Sequence, residues 1–333
     1  MKKIQLFNED NIQVMKRLPD ESVDVICIDP PYLYLKGQKL ERPFDEHLFF
    51  SECQRLLTKK GFIVMFGRGV SFYRWNTILS DLGFEFKEEI IWNKSYCTSP
   101  LMNISRVHET IAIFTKGKGT INKVKVPYLE MKGHDIDSIV TDIKRLKTTF
   151  KNTKSLNAVL EFLENNKVPT DGIFERKHKV VANTTKNMDR CASVMAGIQN
   201  GLNEKSIITK TEDIAYGKVT CQRVEKPNRC VSVMQSVAYG LNEKSIIKQT
   251  RDHYNTIHPT QKPVRLLERL LALVVPKDKK AKDIVVADFF AGSMSCMEAV
   301  YNMGMQGIAC EIDKEYFEAG KQRIESLQPK LAI

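Results

Sequence analysis

Residues 23–32 have the sequence VDVICIDPPY, in which a mostly apolar run ends abruptly at an acidic side chain and two prolines. A short apolar run of this kind is typical of a strand buried on both faces of a parallel sheet. Pro30 and Pro31 fix two successive φ angles and remove two N–H donors, so the strand stops and a stiff turn follows. The segment therefore predicts an α/β fold with a loop at the carboxyl end of the strand, where open α/β sheets bind their ligands.

The turn carries groups that suit an amino group on a planar ring. Asp29 has a carboxylate that only accepts hydrogen bonds, Pro30 leaves its carbonyl free to accept, and Tyr32 adds an aromatic face. An exocyclic amine on a nucleobase is a poor nucleophile because its nitrogen lone pair is delocalised into the ring. An enzyme that alkylates it must therefore hold both N–H bonds and turn the lone pair toward the electrophile. Two acceptors beside a ring that stacks on a flipped base meet this need. The alternative is a tight turn whose tyrosine only packs.

The charge of the chain is concentrated in its middle segment. The 333 residues include 51 Lys and Arg against 40 Asp and Glu, a net charge of +11. Residues 116–252 hold 25 Lys and Arg and 15 Asp and Glu, so this segment carries +10 and the rest of the chain +1. Such a balance favours a polyanionic partner over an acidic small molecule.

The cysteines and the apolar segments indicate the cellular compartment. The eight cysteines form no CxxC pair and no Cys/His spacing suited to zinc. No apolar run is long enough for a signal peptide or a membrane span. We therefore expect a soluble cytoplasmic protein with reduced, mostly buried thiols, no metal and no membrane partner.

Predicted strands and helices alternate at both ends of the chain. Strands are predicted near residues 4–7, 23–28, 61–66, 88–92 and 110–114, with helices near 12–18, 46–57 and 73–82. After residues 258–263, with the sequence HPTQKP, a helix with leucines on one face precedes strands near 284–287 and 307–310 and helices near 297–303 and 316–327. This alternation predicts a mostly parallel sheet interrupted by the basic segment.

The basic segment contains a tandem repeat with a 39-residue period. Residues 190–208 resemble residues 229–247, and Gly201–Ile208 is identical to Gly240–Ile247. Each copy is predicted to form a short helix, a glycine turn and a second short segment, loosely similar to a helix-turn-helix that follows a DNA groove. The alternative is a duplicated hairpin that only packs, and two copies are too few for a solenoid.

A second motif lies near the end of the chain. Residues 288–293, with the sequence DFFAGS, follow a predicted strand and precede a helix, an arrangement that brings a ligand to the backbone amides of a helix N-terminus. Glu311 ends the next predicted strand, where an acidic side chain accepts the ribose hydroxyls in dinucleotide-type sites. The pair predicts a nucleotide-type pocket; the alternative is a tight turn and a surface glutamate.

The two motifs, together with HPTQKP between them, resemble the amino-group DNA methyltransferases of the DPPY type. The chain is most similar to their permuted β class, in which the catalytic motif precedes the target-recognition region and the AdoMet-binding motifs come last. The resemblance covers about residues 4–115 and 255–327, and His108-Glu109 before a predicted strand is also similar to this class.

The resemblance implies a fold and a division of the chain. The fold is α/β and Rossmann-like, that of the AdoMet-dependent methyltransferases, with a mostly parallel seven-stranded sheet, helices on both faces and an inserted, mainly helical target-recognition region. Residues 1–115 would form the catalytic half, residues 116–254 the basic recognition insertion, and residues 255–333 the AdoMet-binding half.

The resemblance also implies roles for individual residues. The catalytic residues, which hold the target base, would be Asp29, Pro30, Pro31 and Tyr32. The implied AdoMet-binding residues include Asp29 as well. At the two ends of AdoMet they would be Asp10 and Asn11 at the adenine ring and Thr260 and Lys262 at the carboxylate. Between these ends they would be Glu311 at the ribose and Phe290, Ala291, Gly292 and Ser293 around the methionine part. Where the family usually has a second glycine this chain has Met294, and a side chain at that position would narrow the cofactor pocket.

An aspartate at the head of the catalytic motif is similar to adenine-N6 enzymes. We therefore expect a site-specific methyltransferase that moves a methyl group from AdoMet to the N6 amino group of adenine in double-stranded DNA by base flipping, encoded by a bacterium or a phage. The alternatives are cytosine-N4 methylation, an RNA or protein N-methyltransferase, and a DNA-binding protein of the same fold that has lost catalysis. A homodimer and an accompanying restriction endonuclease are left open.

Overall fold

The structure is a computed structural model that describes residues 4–32, 41–94, 103–104, 107–132, 135–149, 153–165, 233, 236–237, 239–249, 256–258 and 260–327. The chain divides into two units. Residues 1–124 and 242–333 form the sheet unit, and residues 125–241 form the insertion unit. The sequence predicted an insertion at residues 116–254.

The strands lie in two sheets. In chain order they are β1 Ile4–Phe7, β2 Val23–Ile28, β3 Leu57–Gly67, β4 Glu85–Asn93, β5 His108–Thr115, β6 Lys125–Val126, β7 Leu241–Asn242, β8 Ile246–Lys248, β9 Val285–Asp288 and β10 Gln306–Cys310. Eight of them form one sheet in the order β1-β10-β9-β2-β3-β5-β4-β8, while β6 pairs with β7. In the large sheet only β5 runs antiparallel to its neighbours, so the predicted mostly parallel sheet is confirmed.

The helices whose full length lies in the described ranges are, in chain order, α1 Asn11–Arg17, α2 Glu46–Leu56, α3 Gly69–Asp81, α4 Tyr128–Lys132, α5 Ile136–Thr149, α6 Thr153–Asn165, α7 Val264–Val274, α8 Ser295–Asn302 and α9 Lys314–Glu325, with a 3₁₀ turn at Ala281–Asp283. Helices α4, α5 and α6 belong to the insertion unit. The described residues of that unit are therefore mainly helical, as predicted.

Side chains alternate along the central strands because successive residues of a strand point to opposite faces. On β3, Phe62, Val64 and Phe66 pack with the apolar faces of α7 and α8. Ile63 and Met65, between them, pack with α1, α2 and α3. Helices therefore cover both faces of the sheet, which confirms the arrangement that the resemblance implied.

The strand order reverses at the centre of the sheet. β2 and β9 are parallel neighbours, with Val25 opposite Val286 and Ile26 opposite Ala287. From β2 the chain passes through α2 to β3 on one side, and from β9 it passes through α8 to β10 on the other. The carboxyl ends of β2 and β9 thus border the crevice in which open α/β sheets bind ligands.

The sheet contains one strand more than the seven predicted. β8 comes from the second copy of the repeat and pairs in parallel with residues 91–93 of β4. Gly240 has a φ of 74°, in the left-handed region that favours glycine, and the chain then enters β7 and β8. Residues 233, 236–237 and 239 are helical and precede the turn at Gly240, so the predicted short helix and glycine turn are present in this copy. The second segment is a strand, which β-branched Ile246 and Ile247 favour, so the likeness to a helix-turn-helix is wrong. Residues 190–208 lie outside the described residues.

A buried ion pair ties the second copy to α7. The Glu243 carboxylate accepts hydrogen bonds from Arg269 Nε at 2.6 Å and Nη2 at 2.7 Å, and both side chains are only 3% exposed. The Glu243 amide also donates to the Val124 carbonyl. These contacts hold the segment that leads into β8.

Four cysteines lie among the described residues. Cys27, Cys53, Cys296 and Cys310 are free thiols, and all four are buried, as the sequence predicted for most of the cysteines. None of the helices in the described ranges combines the length and the apolar character that crossing a bilayer requires.

Replacing Glu243 with glutamine should lower the free energy of unfolding by about 3–5 kcal/mol, because the substitution removes the negative charge from a buried, doubly hydrogen-bonded ion pair. Urea unfolding of the purified variants measures the change. Lys321→Gln is the control, since it removes a charge from the exposed Lys321–Glu325 pair and should cost less than about 1 kcal/mol. Equal losses in the two variants would contradict the role assigned to Glu243.

Candidate active site

A cavity of about 290 Å³ lies at the carboxyl ends of β2 and β9. Every site residue predicted from the sequence lines it: Asp10, Asn11, Asp29, Pro30, Pro31, Tyr32, Thr260, Lys262, Phe290, Ala291, Gly292, Ser293 and Glu311. The structure thus brings together segments from both ends of the chain. The roles of these residues remain predictions.

The Asp29 carboxylate is held from two sides. Its Oδ1 accepts a hydrogen bond from the Tyr32 hydroxyl at 2.6 Å, and its Oδ2 accepts one from Lys262 Nζ. The Ser71 hydroxyl donates to the Tyr32 carbonyl at 2.7 Å, and the Tyr32 ring lies 6.2 Å from the ring of Trp75. Because Ser71 and Trp75 belong to α3, this helix fixes the turn that follows β2.

Asp29 is the end of a chain of four alternating charges, which we call the charge cluster: Lys94, Glu109, Lys262 and Asp29. Lys262 Nζ lies 3.2 Å from Glu109 Oε2, and Lys94 Nζ donates to Glu109 Oε1 at 3.1 Å. The side chains of Lys94 and Lys262 are only 6% and 9% exposed. The sequence suggested Lys262 as a ligand of the AdoMet carboxylate, and it gave no signal for Lys94 beyond its position after a strand.

Burial and neighbouring charges oppose one another in the cluster. Burial raises the pKa of Asp29, while the ammonium of Lys262 acts in the opposite direction and the charge of Glu109 adds to the rise. Burial also acts to raise the pKa of Glu109, but Lys262 and Lys94 bring it below its ordinary value. Burial acts to lower the pKa of Lys262, yet Asp29 and Glu109 outweigh it, so the pKa rises and Lys262 stays an ammonium.

Asp288 ends β9 and lines the same cavity, although the sequence reasoning did not include it among the site residues. Its Oδ1 accepts a hydrogen bond from the Phe290 amide at 3.0 Å. Burial raises the pKa of Asp288 to about 7, against the effect of that hydrogen bond and with help from the charges of Asp29 and Glu311. The Asp288 carboxyl therefore titrates near neutral pH. Its position at a strand end was the signal that could have identified it.

The turn after β9 and the end of β10 are joined through Glu311. Gly292 has a φ of 46°, and its amide donates to Glu311 Oε2 at 2.8 Å. The Asp313 amide donates to Glu311 Oε1 at 2.8 Å. Two fixed amides orient the carboxylate and leave further lone pairs for a ligand hydroxyl. Asp10, which also lines the cavity, caps α1, its Oδ1 accepting from the Ile12 amide at 3.0 Å.

Met294 does not narrow the cavity. It has a φ of 58°, in the left-handed region where a side chain costs roughly 1–2 kcal/mol, which explains why a glycine is usual there. Its side chain is completely buried in the core with α7 and α8, and it is not among the residues that line the cavity. A Cβ atom on Gly320 would lie 2.5 Å from Met294 Cγ. Gly320 in α9 thus leaves the space that Met294 fills.

The fold is shared with a DNA methyltransferase of known structure. The PvuII DNA methyltransferase (cytosine-N4-specific) superposes with a TM-score of 0.53 at 13% sequence identity, covering 100% of this chain and 89% of that chain. At this identity the likeness shows the fold alone. The family model N6_N4_Mtase, described as DNA methylase, matches residues 23–322. The chain therefore belongs to this family of DNA methylases, which confirms the resemblance to amino-group DNA methyltransferases.

Two relatives match part of the chain. Type II methyltransferase M.HinfI from Haemophilus influenzae is 31% identical over 38% of this chain and 42% of the relative. Type II methyltransferase M.BglII from Bacillus subtilis is 27% identical over 37% of this chain and 39% of the relative. The chain thus spans about two-fifths of the length of these relatives.

Gly320→Ala should lower the free energy of unfolding by about 1–3 kcal/mol, because the added methyl group overlaps Met294 and strains a packed core. The loss is expected although alanine is the better helix former. In a Met294→Ala background the overlapping Cγ is gone, so the cost of Gly320→Ala should fall by at least about 0.5 kcal/mol. Urea unfolding of the four proteins in this cycle measures the coupling, and strictly additive losses would refute the contact.

Proposed function

We propose that the protein is a DNA methyltransferase that transfers the methyl group of AdoMet to the N6 amino group of adenine in double-stranded DNA. The observation that carries the proposal is the single cavity shared by the Asp29 turn and the Gly292 turn. One turn offers acceptors for an amine and the other suits a nucleoside. Membership of the DNA methylase family supports the same activity.

The cavity fits AdoMet at several points. Glu311 presents an oriented carboxylate for the ribose diol, and Gly292 has no Cβ to keep a ligand from the turn. Asp29 and Asp288 carry negative charge toward a cationic ligand in their ionised forms. We assign the adenine end to Asp10 and Asn11 and the methionine end to Thr260, Phe290, Ala291 and Ser293. When bound, AdoMet supplies an electrophilic methyl group on a positively charged sulfur.

The Asp29 turn suits the target base. The Asp29 carboxylate and the Pro30 carbonyl accept the two N–H bonds of the amino group, which turns its lone pair toward the methyl donor. Lys262 and Tyr32 each use one acceptor position, and a carboxylate has about four, so positions remain for the amine. The Tyr32 ring stacks on the flipped base, a contact worth about 1–3 kcal/mol. Catalysis then rests on orientation and on acceptors for the positive charge that develops on nitrogen.

Duplex DNA is the proposed partner of the basic segment. Residues 116–252 carry a net charge of +10, which favours contacts with phosphates. We assign target recognition to this segment and catalysis with AdoMet binding to the sheet unit. The DNA affinity should therefore fall steeply as the salt concentration rises.

The identity of the methylated base tests the proposal directly. Duplex DNA is incubated with the purified protein and labelled AdoMet, digested to nucleosides and separated. Labelled N6-methyl-2′-deoxyadenosine is the expected product. N4-methyl-2′-deoxycytidine would replace the adenine assignment with the cytosine alternative, and the absence of labelled nucleoside would overturn the proposed activity.

Asp29→Ala should reduce methyl transfer at least about 10²-fold, the usual cost of removing one preorganised partner of a developing charge. AdoMet affinity should change far less, because the Gly292 turn and Glu311 are untouched. Single-turnover transfer to duplex DNA and equilibrium AdoMet binding measure the two effects. Asp81→Ala, on the exposed end of α3, is the control and should retain full activity. Undiminished transfer by Asp29→Ala would exclude the assigned role.

A further inference from the structure

We propose that Lys262 and Glu109 are positioning residues that set, with opposite effects, the pH range in which Asp29 is an ionised acceptor. The proposal rests on the methyltransferase function proposed above. It assigns to Lys262 a role toward the target-base turn in addition to any contact with the cofactor.

The four side chains of the charge cluster form one connected series of contacts rather than separate ion pairs. Lys262 Nζ contacts carboxylate oxygens of both Asp29 and Glu109, so a single ammonium bridges the two acids. It also lies 5.1 Å above the Phe66 ring, which restricts its position. Lys94 holds the other oxygen of Glu109. Each charge in the series therefore lies between opposite charges, except Lys94 and Asp29 at its ends.

The elements packed around Asp29 each present a titratable group to it. These are Tyr32 in the same turn, Lys262 before α7, Glu109 on β5 and Asp288 at the end of β9, with Glu311 facing Asp288 and Lys94 facing Glu109. Lys262 is the cation in direct contact with the Asp29 carboxylate. The charge state of Asp29 therefore depends mainly on burial, on Lys262 and on the opposing charge of Glu109.

Removing the two neighbours of Asp29 should have opposite effects. Without the Lys262 ammonium, burial and Glu109 both favour the protonated acid, so the pKa of Asp29 rises and activity begins at a higher pH. Without the Glu109 charge, the repulsion on Asp29 ends and Lys262 is left with Asp29 as its only acidic contact in the cluster. The pKa of Asp29 then falls, and activity begins at a lower pH. A residue with a merely structural role would not produce shifts of opposite sign.

The test is the pH dependence of kcat/KM for methyl transfer to duplex DNA. The acid limb should move to higher pH in Lys262→Met and to lower pH in Glu109→Gln. Lys262→Arg keeps the charge and should keep the wild-type limb even if the rate falls. Lys321→Met, on the exposed face of α9, is the control for loss of a lysine charge. All variants retain Asp288, but Lys262 also acts to lower the pKa of Asp288, so the acid limb of Lys262→Met reports Asp288 together with Asp29. A readout that is specific for Asp29 is therefore needed beside the rate.

A second readout does not depend on activity. Carboxyl ¹³C NMR follows the titration of Asp29 directly, with the resonance assigned from its absence in Asp29→Asn. Shifts of opposite sign in Lys262→Met and Glu109→Gln support the inference. If Asp29 titrates at the same pH in the wild type and in both variants, the inference is overturned. The proposed function would still stand in that case, provided that the wild type transfers the methyl group. A wild type that transfers no methyl group, with opposite shifts by NMR, overturns the function and retains the electrostatic coupling.

Discussion

Parallel pairing of β2 with β9 is the constraint on which the site depends. The two strands are far apart in the chain, yet their pairing places the residues that follow them at the same edge of the sheet. Asp29 and Asp288 consequently line one cavity. The chain leaves the two strands toward opposite sides of the sheet, and described residues of both connections, 41–44 after β2 and 289–293 after β9, line the cavity. A site for two reactants can form there because each strand supplies one wall.

The same constraint concentrates acidic groups, which the fold must compensate. Asp29, Asp288, Glu109 and Glu311 all line the cavity, and burial acts to raise the pKa of each. Buried ion pairs seldom stabilise a fold, because desolvation offsets most of the attraction. Lys262 is better understood as a group that keeps an acidic cavity ionised than as a source of stability. A cavity with this charge suits a cationic ligand and a base that becomes positively charged.

Much of the fold and the walls of the site could be predicted from the sequence because they depend on local patterns. Apolar runs ending at Asp29 and Glu311 mark strand ends, and the carboxyl ends of parallel strands meet at one edge. Lys94 could not be predicted, since its role depends on the pairing of β4 with β5 and on the direction of a long side chain. The fit of Met294 against Gly320 was equally hidden, because it joins α8 to α9 through packing that no spacing reveals.

The repeat shows how a sequence feature that suggests DNA recognition can have a structural cause. In the second copy, Glu243 pairs with buried Arg269 and Ile247 is completely buried in the core of the sheet unit. These contacts require the same acidic and β-branched side chains whose exact recurrence drew attention to the repeat. The packing alternative is therefore supported for this copy, at least from Glu243 to Ile247. The basic residues outside Glu243–Ile247 are therefore the better candidates in the second copy for contacts with phosphates.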